Sequence, residues 1–457
     1  METFLIKAVQ LMLSFAILVF VHEFGHYIFS RIFGVKVEKF YLFFNPWFTL
    51  FKYKPKKKPV AEGEEEKMTW RDTEYGIGWL PLGGYCKIAG MIDESMDKEQ
   101  IKQPAKPWEF RSKPAWQRLL IMVGGVLFNF ILAIVIYAGM VYAWGEQYLT
   151  FRNATEGMAY CESAHEVGFV DGDIPLFADG EELSYLNGDE LLKILSASKV
   201  TVLRNNTDTV DITIPQNFIF TANAEAENGV LFMTYRLPVV VADVEPGMGA
   251  VKAGMQKNDR VVAVNSVRTS AYDTFKAQLD KNAGKIVPIT VLRDGKEVTM
   301  NVAIDDAGKL GIMLAPFTDV YETTTREYSL LESVPRGIKL GVEKLSSYVS
   351  QMKYVFTSEG VQQLGGFGAI GNIFPDAWNW ELFWSVTAFL SVILAFMNIL
   401  PIPALDGGHV LFLLYEIITR RQPSEKFLEY AQITGMAFLF MLLIYANGND
   451  IYRFFFK

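Results

Sequence analysis

Two histidines and one glutamate near the N-terminus have the types and spacing that a metal ion requires. His22 and His26 lie four residues apart in the run HEFGH, and Glu23 directly follows the first histidine. On a helix, residues i and i+4 share a face, so both imidazoles can bind one zinc ion while the glutamate acts as a general base. The pattern predicts zinc-dependent hydrolysis. The alternative is a chance match in which the histidines form a hydrogen-bonded pair on a helix.

The position of this motif favours the chemical interpretation. The preceding residues 4–21 are apolar except for Lys7 and Gln10, which predicts a membrane-spanning helix that continues into HEFGH. Ionisable side chains are costly at membrane depth and are typically functional there. No A-x-A-like cleavage site follows, so we interpret this segment as a retained span and not as a signal peptide.

Composition excludes several classes of protein. The chain is 51% hydrophobic and 21% charged, which is typical of a membrane protein that carries a large polar insertion. Its net charge of −8 argues against nucleic acid as a partner. Its 2 cysteines cannot form a disulfide framework, and we expect Cys86 and Cys161 to be packing residues on opposite sides of the membrane.

Four segments are long and apolar enough to cross a bilayer. They are residues 4–26, Leu119–Trp144, Leu382–Leu400 and Phe427–Ala446. Basic residues follow the first span, precede the second and lie between the third and fourth, so both of these loops should be cytoplasmic. Both termini and the long acidic stretch between the second and third spans should then lie outside.

Asp406 is the candidate for a third zinc ligand. It lies in PIPALDGGH, just beyond the third span, at about the depth that HEFGH reaches in the first. Catalytic zinc typically takes three protein ligands, and a carboxylate is an acceptable third. The alternative is an ordinary turn, because this stretch is rich in Pro and Gly, and the two interpretations are compatible. For His409, three residues later, we favour a structural role over ligation.

These motifs resemble those of the site-2 proteases, a family of intramembrane zinc metalloproteases. The resemblance rests on HExxH at His22–His26, on N-x-x-P-x-P-x-x-D-G at Asn398–Gly407, and on TEYGIGWLPLGGYCKI, and it is closest to the bacterial RseP-type branch (regulator of sigma-E protease). It implies zinc ligation by His22, His26 and Asp406, activation of water by Glu23, and substrate binding by Asn398. In the second span this chain has Gly125, Val126 and Asn129 where relatives commonly have Gly-Pro-x-x-Asn.

The Gly-rich stretch Glu74–Met91 predicts a hairpin or a looped sheet in preference to a helix. The alternative is a plain cytoplasmic loop. In the family a membrane-reentrant β-loop occupies this position and offers a strand edge near the zinc. We therefore expect Gly83, Gly84 and Tyr85 to contact an extended substrate.

The region between the second and third spans contains an internal repeat. AHEVGFVDGDI at Ala164–Ile174 resembles AVKAGMQKNDRV at Ala250–Val261, and TVLR occurs at Thr201–Arg204 and again at Thr290–Arg293. Two copies of one small β-rich domain fit this spacing. Both resemble PDZ domains, which in this family exclude bulky substrates or recruit substrate ends.

The sequence therefore predicts a polytopic α-helical membrane protein with four transmembrane helices, a membrane-reentrant β element and two extracytoplasmic PDZ domains. The expected order is the following: span one with HExxH, 1–35; β-loop region, 36–117; span two, 118–145; PDZ domains, 150–235 and 236–307; amphipathic helix and Gly-rich segment, 325–375; span three with its motif, 380–420; span four, 427–447; tail, 448–457.

The resemblance implies a zinc endopeptidase of the bacterial inner membrane that cuts the transmembrane segments of single-span proteins. Expected substrates are anti-sigma factors that another protease has already trimmed, and remnant signal peptides. Two other classes stay open from sequence: a non-catalytic membrane scaffold that binds partners through its PDZ pair, and a zinc transporter or sensor. Glu23 discriminates between them, because a transporter needs no general base beside its ligands.

Overall fold

The structure is a computed structural model that describes residues 2–56, 69–81, 83–91, 104–355, 357, 360 and 364–456. The chain divides into two compact units. One comprises Met1–Gly145 and Glu327–Lys457 and is called the membrane unit, and the other, Glu146–Arg326, is called the insert unit. Most of the charged linker that follows position 54 lies outside the described residues.

Helices and strands are numbered here in chain order. The α-helices are α1 (Glu2–Ile32), α2 (Ala115–Trp144), α3 (Glu162–Val167), α4 (Gly188–Ser196), α5 (Phe218–Glu227), α6 (Gly249–Ala253), α7 (Tyr272–Lys281), α8 (Phe317–Val320), α9 (Leu330–Val355), α10 (Phe367–Ile373), α11 (Trp380–Ile399), α12 (Asp406–Thr419) and α13 (Glu425–Phe456). The strands are β1 (Val37–Leu42), β2 (Phe44–Tyr53), β3 (Glu74–Leu80), β4 (Tyr85–Ile88), β5 (Glu146–Tyr148), β6 (Met158–Tyr160), β7 (Ile174–Ala178), β8 (Glu181–Glu182), β9 (Lys199–Arg204), β10 (Asp208–Thr213), β11 (Met233–Tyr235), β12 (Val241–Val244), β13 (Arg260–Val264), β14 (Val267–Arg268), β15 (Ile286–Arg293), β16 (Lys296–Ala303), β17 (Ile312–Leu314) and β18 (Thr324–Arg326).

The expectation of four membrane spans is confirmed. Among the described residues of the membrane unit, four helices are long and apolar enough to cross a bilayer, at Glu2–Ile32, Ala115–Trp144, Trp380–Ile399 and Lys426–Arg453. Each is an apolar run of at least 20 residues, which a bilayer of about 30 Å hydrocarbon thickness requires of a helix. The chain is therefore a polytopic membrane protein.

Helices α1 and α2 cross at glycines, which brings their backbones into contact. A Cβ atom built on Gly25 would lie 2.2 Å from the Gly124 carbonyl oxygen, and one on Gly124 would lie 2.7 Å from the Gly25 oxygen. Small residues permit this kind of close approach between membrane helices. The crossing holds the histidines of α1 against the next turn of α2.

The stretch Glu74–Met91 forms two strands of a looped sheet. Its strand order is β2-β3-β1-β4, so β3 and β4 flank β1 and do not pair as a hairpin. Strand β1 runs parallel to β3, with Phe40 opposite Tyr75, and antiparallel to β4, with Phe40 opposite Cys86. Strand β4 therefore lies at an edge of this sheet.

The insert unit contains the two copies of one β-rich fold that the repeat predicts. The first copy has a four-stranded sheet, β10-β9-β7-β8, and a strand pair, β11-β6. The second copy repeats both arrangements as β16-β15-β13-β14 and β17-β12. Strand β17, at Ile312–Leu314, pairs antiparallel with β12.

Each copy has the same buried ion pair, which explains both repeated motifs. The Arg204 guanidinium donates two hydrogen bonds to Asp173, and that of Arg293 does the same to Asp259, at 2.6 to 2.8 Å. The arginines end the two TVLR motifs, and the aspartates lie five residues after the repeated glycines. The residues repeated in the two copies therefore form the same Arg–Asp contact in each copy.

The segment before the third span is more helical than the sequence suggested. Helix α9 lies within the segment 325–375, where the sequence predicted an amphipathic helix, and the Gly-rich part of this segment leads into the short helix α10. Asp450 of α13 accepts hydrogen bonds from the backbone N–H groups of Gly366 and Ala369, and Asn447 accepts one from Phe367. These side chains satisfy N–H groups at the start of α10 that the helix itself leaves without partners.

Candidate metal centre

The candidate metal ligands come from two distant parts of the membrane unit. His22 and His26 lie on the same face of α1, whereas Asp406 is the first residue of α12, after the loop that follows α11. Helix α12 was not foreseen from sequence, because it follows a stretch rich in Pro and Gly. Its two glycines permit tight packing: a Cβ atom on Gly407 would lie 2.0 Å from the Leu400 carbonyl oxygen.

The structure brings one donor atom of each residue together in a nearly equilateral triangle. The Nε2 atoms of His22 and His26 are 3.3 Å apart, and Asp406 Oδ2 lies 3.1 Å from the first and 3.3 Å from the second. A tetrahedral zinc site with bonds of about 2.0–2.1 Å has ligand-to-ligand edges of about 3.3–3.4 Å. In the described part of the chain, this is the one group of three or more metal-binding side chains that converges in this way.

The hydrogen bonds of His26 favour a cation at the centre of the triangle. Its Nδ1 lies 2.9 Å from the Ile121 carbonyl oxygen, which can only accept a hydrogen bond. A neutral His26 therefore carries its proton on Nδ1 and directs the lone pair of Nε2 toward Asp406. Asp406 Oδ2 is buried and has no hydrogen-bond partner. A cation satisfies these converging lone pairs, so the residues fit a zinc ion.

Asn129 of α2 provides the corresponding support for His22. An amide atom of Asn129 lies 3.2 Å from His22 Nδ1. The amide can present either its oxygen or its nitrogen to His22. A His22 that binds zinc through Nε2 donates a hydrogen bond from Nδ1, so it requires the amide oxygen of Asn129. With the nitrogen placed there instead, that oxygen is buried without a hydrogen-bond partner. The sequence analysis noted Asn129 as part of a family pattern but assigned it no role, because a contact between residues 107 positions apart has no local signal.

Gly125 leaves the space that the two imidazoles occupy. A Cβ atom there would lie 2.5 Å from His26 Nε2 and 2.7 Å from His22 Cε1. The absence of the usual following proline does not prevent this packing, since α2 is one continuous helix from Ala115 to Trp144. Gly125 is thus a steric requirement of the centre.

A cavity of about 520 Å³ opens onto the triangle. Its lining includes all three candidate ligands and Glu23, together with Asn398 from the last turn of α11 and Gly84 and Tyr85 at the start of β4. Gly83 is the exception among the expected site residues, because it does not line the cavity. It adopts φ +147° beside the ring of Phe44, a conformation that favours glycine.

Glu23 faces this cavity from the same turn of α1 as His22. The backbone of Cys86, on β4, lies beside its carboxylate. Burial, and to a lesser degree the Glu23 carboxylate, raises the pKa of the Cys86 thiol well above its ordinary value. Cys86 therefore contributes its backbone, and not a thiolate, to the surroundings of Glu23.

The two remaining histidines lie outside the triangle. His409 follows Asp406 by one turn of α12 and lines the cavity, yet it is not in the converging group. His165 is half exposed in the insert unit, where it pairs with Asp171 at 3.1 Å. Both cysteines of the chain are free thiols.

Comparisons with known proteins agree over nearly the whole chain. The model of peptidase family M50 matches residues 10–59 and 65–442. Two similar proteins are the regulator of sigma E protease of Haemophilus influenzae, 27% identical across 99% of this chain and 100% of that protein, and the protease RseP of Yersinia pestis, 27% identical across 96% and 97%. A Vibrio cholerae protein named as a candidate zinc metalloprotease is 26% identical across 97% and 98%.

Proposed function

Because this chain belongs to peptidase family M50, we propose that it is a zinc endopeptidase that cuts peptide bonds inside the transmembrane segments of single-span proteins. The observation that carries the proposal is the triangle of His22, His26 and Asp406 beside Glu23. Its two histidines lie in the C-terminal half of one membrane-spanning helix, and it opens to a cavity of about 520 Å³. A scaffold needs no such centre, and a transporter needs no general base at it.

Each side chain of the site has a role in this reaction. His22, His26 and Asp406 would hold the zinc ion, which would supply Lewis acidity at this site. Glu23 accepts the proton of the attacking water and delivers it to the leaving amine. Asn398 lines the same cavity from α11, where its amide can hydrogen-bond the substrate backbone near the scissile bond.

Strand β4 is the part of the site that we assign to substrate binding. It is the edge strand of its sheet, and its residues from Tyr85 to Ile88 line the cavity. Peptide bonds within a helix are shielded, so a substrate must unwind before it is cut, and addition to this edge would hold it extended. The sheet is then the membrane-reentrant element, with Gly84 and Tyr85 next to the peptide and Gly83 shaping the turn before them.

The distribution of basic residues supports the orientation that we propose for the chain in its membrane. Basic residues flank the loops after span one and between spans three and four, which favours a cytoplasmic position for both and an outer position for the termini and the insert unit. We place the protein in the bacterial inner membrane. The two similar domains of the insert unit act as PDZ domains that exclude bulky substrates or recruit substrate ends. Substrates are trimmed single-span proteins such as anti-sigma factors, and remnant signal peptides.

Cleavage by matched variants tests the catalytic proposal. Purified protein and its Glu23→Gln variant are incubated with a single-span substrate that lacks its outer domain, and bound zinc is measured in both. We expect the variant to keep zinc and to lose cleavage by at least about 100-fold, the range that general-base catalysis supplies. Equal cleavage by both forms, or a full zinc content with no cleavage by either, would contradict the assignment.

Disulfide trapping tests the strand-addition proposal with a cysteine that the chain already has. Cys86 lies on β4 and lines the cavity. Cys161 is replaced with Ala, so that Cys86 is the single thiol of the protein. Substrates with one cysteine at successive positions are oxidised with the Glu23→Gln, Cys161→Ala protein. Addition to the edge predicts cross-links at alternate positions, because side chains of a strand alternate. A spacing of three to four positions would indicate a helical substrate and refute strand addition.

A further inference from the structure

The loop that presents Asp406 contains a strained turn. Leu405 N–H donates to the Ile402 carbonyl oxygen at 3.0 Å, Pro403 is the second residue of the turn, and the third, Ala404, has φ +79°. These are the features of a type II turn, whose third position favours glycine. An alanine in this conformation needs support from its surroundings.

Helix α13 contacts both ends of the peptide group at the centre of this turn. On one side, Gln432 Oε1 accepts a hydrogen bond from Ala404 N–H at 3.3 Å. On the other, a Cβ atom built on Gly435 would lie 1.8 Å from the Pro403 carbonyl oxygen, so that only glycine permits this approach. Gln432 and Gly435 are three residues apart and share one face of the helix.

The orientation of this peptide group distinguishes a type II turn from a type I turn. In a type I turn the 403–404 peptide is rotated by about 180°, which would turn Ala404 N–H away from Gln432. The turn's own hydrogen bond uses Leu405 N–H, so it does not select between the two forms. The acceptor on Gln432 does favour the type II turn, because it accepts a hydrogen bond from Ala404 N–H only in that form.

We propose that Gln432 is a positioning residue of the metal centre. It holds the 403–404 peptide in the type II orientation and thereby sets the position of Asp406, two residues further on. Gln432 is buried, with 6% of its surface exposed, and its side-chain oxygen accepts a hydrogen bond from a loop residue 28 positions away. The inference rests on the proposed function only in taking Asp406 as a zinc ligand.

Zinc retention by variants of the whole protein tests this inference. Gln432→Met keeps the length of the side chain and removes the acceptor. Thr434→Val, on the exposed side of the same helix, is the matched control for loss of a polar group. Ala404→Gly, alone and combined with Gln432→Met, removes the conformational strain, since glycine adopts positive φ at little cost. The apparent zinc affinity of each protein is measured by competition with a chelator, with cleavage measured in parallel.

We expect Gln432→Met to weaken zinc binding by about 10-fold, at the lower end of the effect of residues that orient metal ligands, and Thr434→Val to leave it unchanged. Ala404→Gly should restore most of the affinity in the double variant. Equal affinity of Gln432→Met and wild type would overturn the proposal, as would a loss that Ala404→Gly does not restore. Because zinc binding is measured without a substrate, failure of the proposed peptidase activity would not change this outcome.

Discussion

Replacement of Gly125 by alanine should remove zinc from a protein that still folds. The added Cβ atom would lie 2.5 Å from His26 Nε2 and 2.7 Å from His22 Cε1. Ordinary contacts between such atoms lie near 3.5 Å, so the imidazoles must move by about 1 Å. Zinc sites tolerate ligand displacements of about 0.2 Å.

The expected loss of zinc affinity is about 100-fold or more, equivalent to about 2.7 kcal/mol. The helix itself should not be weakened, because alanine in a helix interior is favoured over glycine by about 0.5–1 kcal/mol. The defect should therefore appear in metal content and cleavage, and not in the yield of folded protein.

Gly139→Ala is the matched control for this experiment. Gly139 lies in the same helix, and a Cβ atom built there meets nothing within 4 Å. Both variants are purified, and zinc content, zinc affinity and cleavage are measured beside the wild type. If Gly125→Ala retained zinc with wild-type affinity, the close packing of α2 against the two histidines would be refuted as a requirement of the centre.

Three further predictions concern other parts of the molecule. Asn129→Leu should weaken zinc binding by about 10- to 100-fold, because His22 loses its Nδ1 partner. Competition with a chelator measures the zinc affinity, and an unchanged affinity would refute a role for Asn129 in the centre. Removal of zinc should abolish cleavage and lower the unfolding temperature, because an ion present at 100 times its Kd stabilises the fold by about 2.7 kcal/mol. Readdition of zinc should restore both cleavage and the unfolding temperature. Activity that survives full removal of zinc would contradict zinc catalysis. In the insert unit, burial by itself would raise the pKa of Asp259, but hydrogen bonds from Arg293 and from Gln256 N–H hold that pKa below its ordinary value. Such a carboxyl stabilises the fold above its unfolded-state pKa of about 3.9, and this stabilisation is lost as the pH falls through the lower folded value. Wild type and Asp259→Asn should therefore unfold at different temperatures at pH 7, and the two temperatures should converge as the pH falls through that folded value. A difference that persists in full after this fall would exclude this pair as its source.

Features that depend on local spacing could be predicted from the sequence. The interval between His22 and His26 places both on one helix face whatever surrounds them, and an apolar run of 20 residues is a candidate span in any fold. The internal repeat was visible because both copies keep the same residues at the same intervals. The sequence did not show why the residues repeat. In the fold, Arg293 donates to Asp259 and Arg204 donates to Asp173, although about 30 residues separate the members of each pair.

The looped sheet shows where local pattern stops being informative. Alternation in Glu74–Met91 indicated extended backbone, and two strands are present. Strand β1 separates them, since its parallel pairing with β3 and antiparallel pairing with β4 depend on partners elsewhere in the chain. One sequence pattern is compatible with several strand orders, and tertiary packing selects among them.

The sequence was sufficient to name the candidate ligands and the candidate general base, because these residues must be of particular types in recognisable motifs. The contacts that hold them in place were visible only in the folded chain. Ile121 and Asn129 contact the two histidines from α2, and Gln432 of α13 contacts the loop before Asp406. The glycine contacts of α1 with α2 fix how closely those two helices approach. These contacts join residues 28 to 107 positions apart, and their geometry is set by helix packing and not by any spacing along the chain.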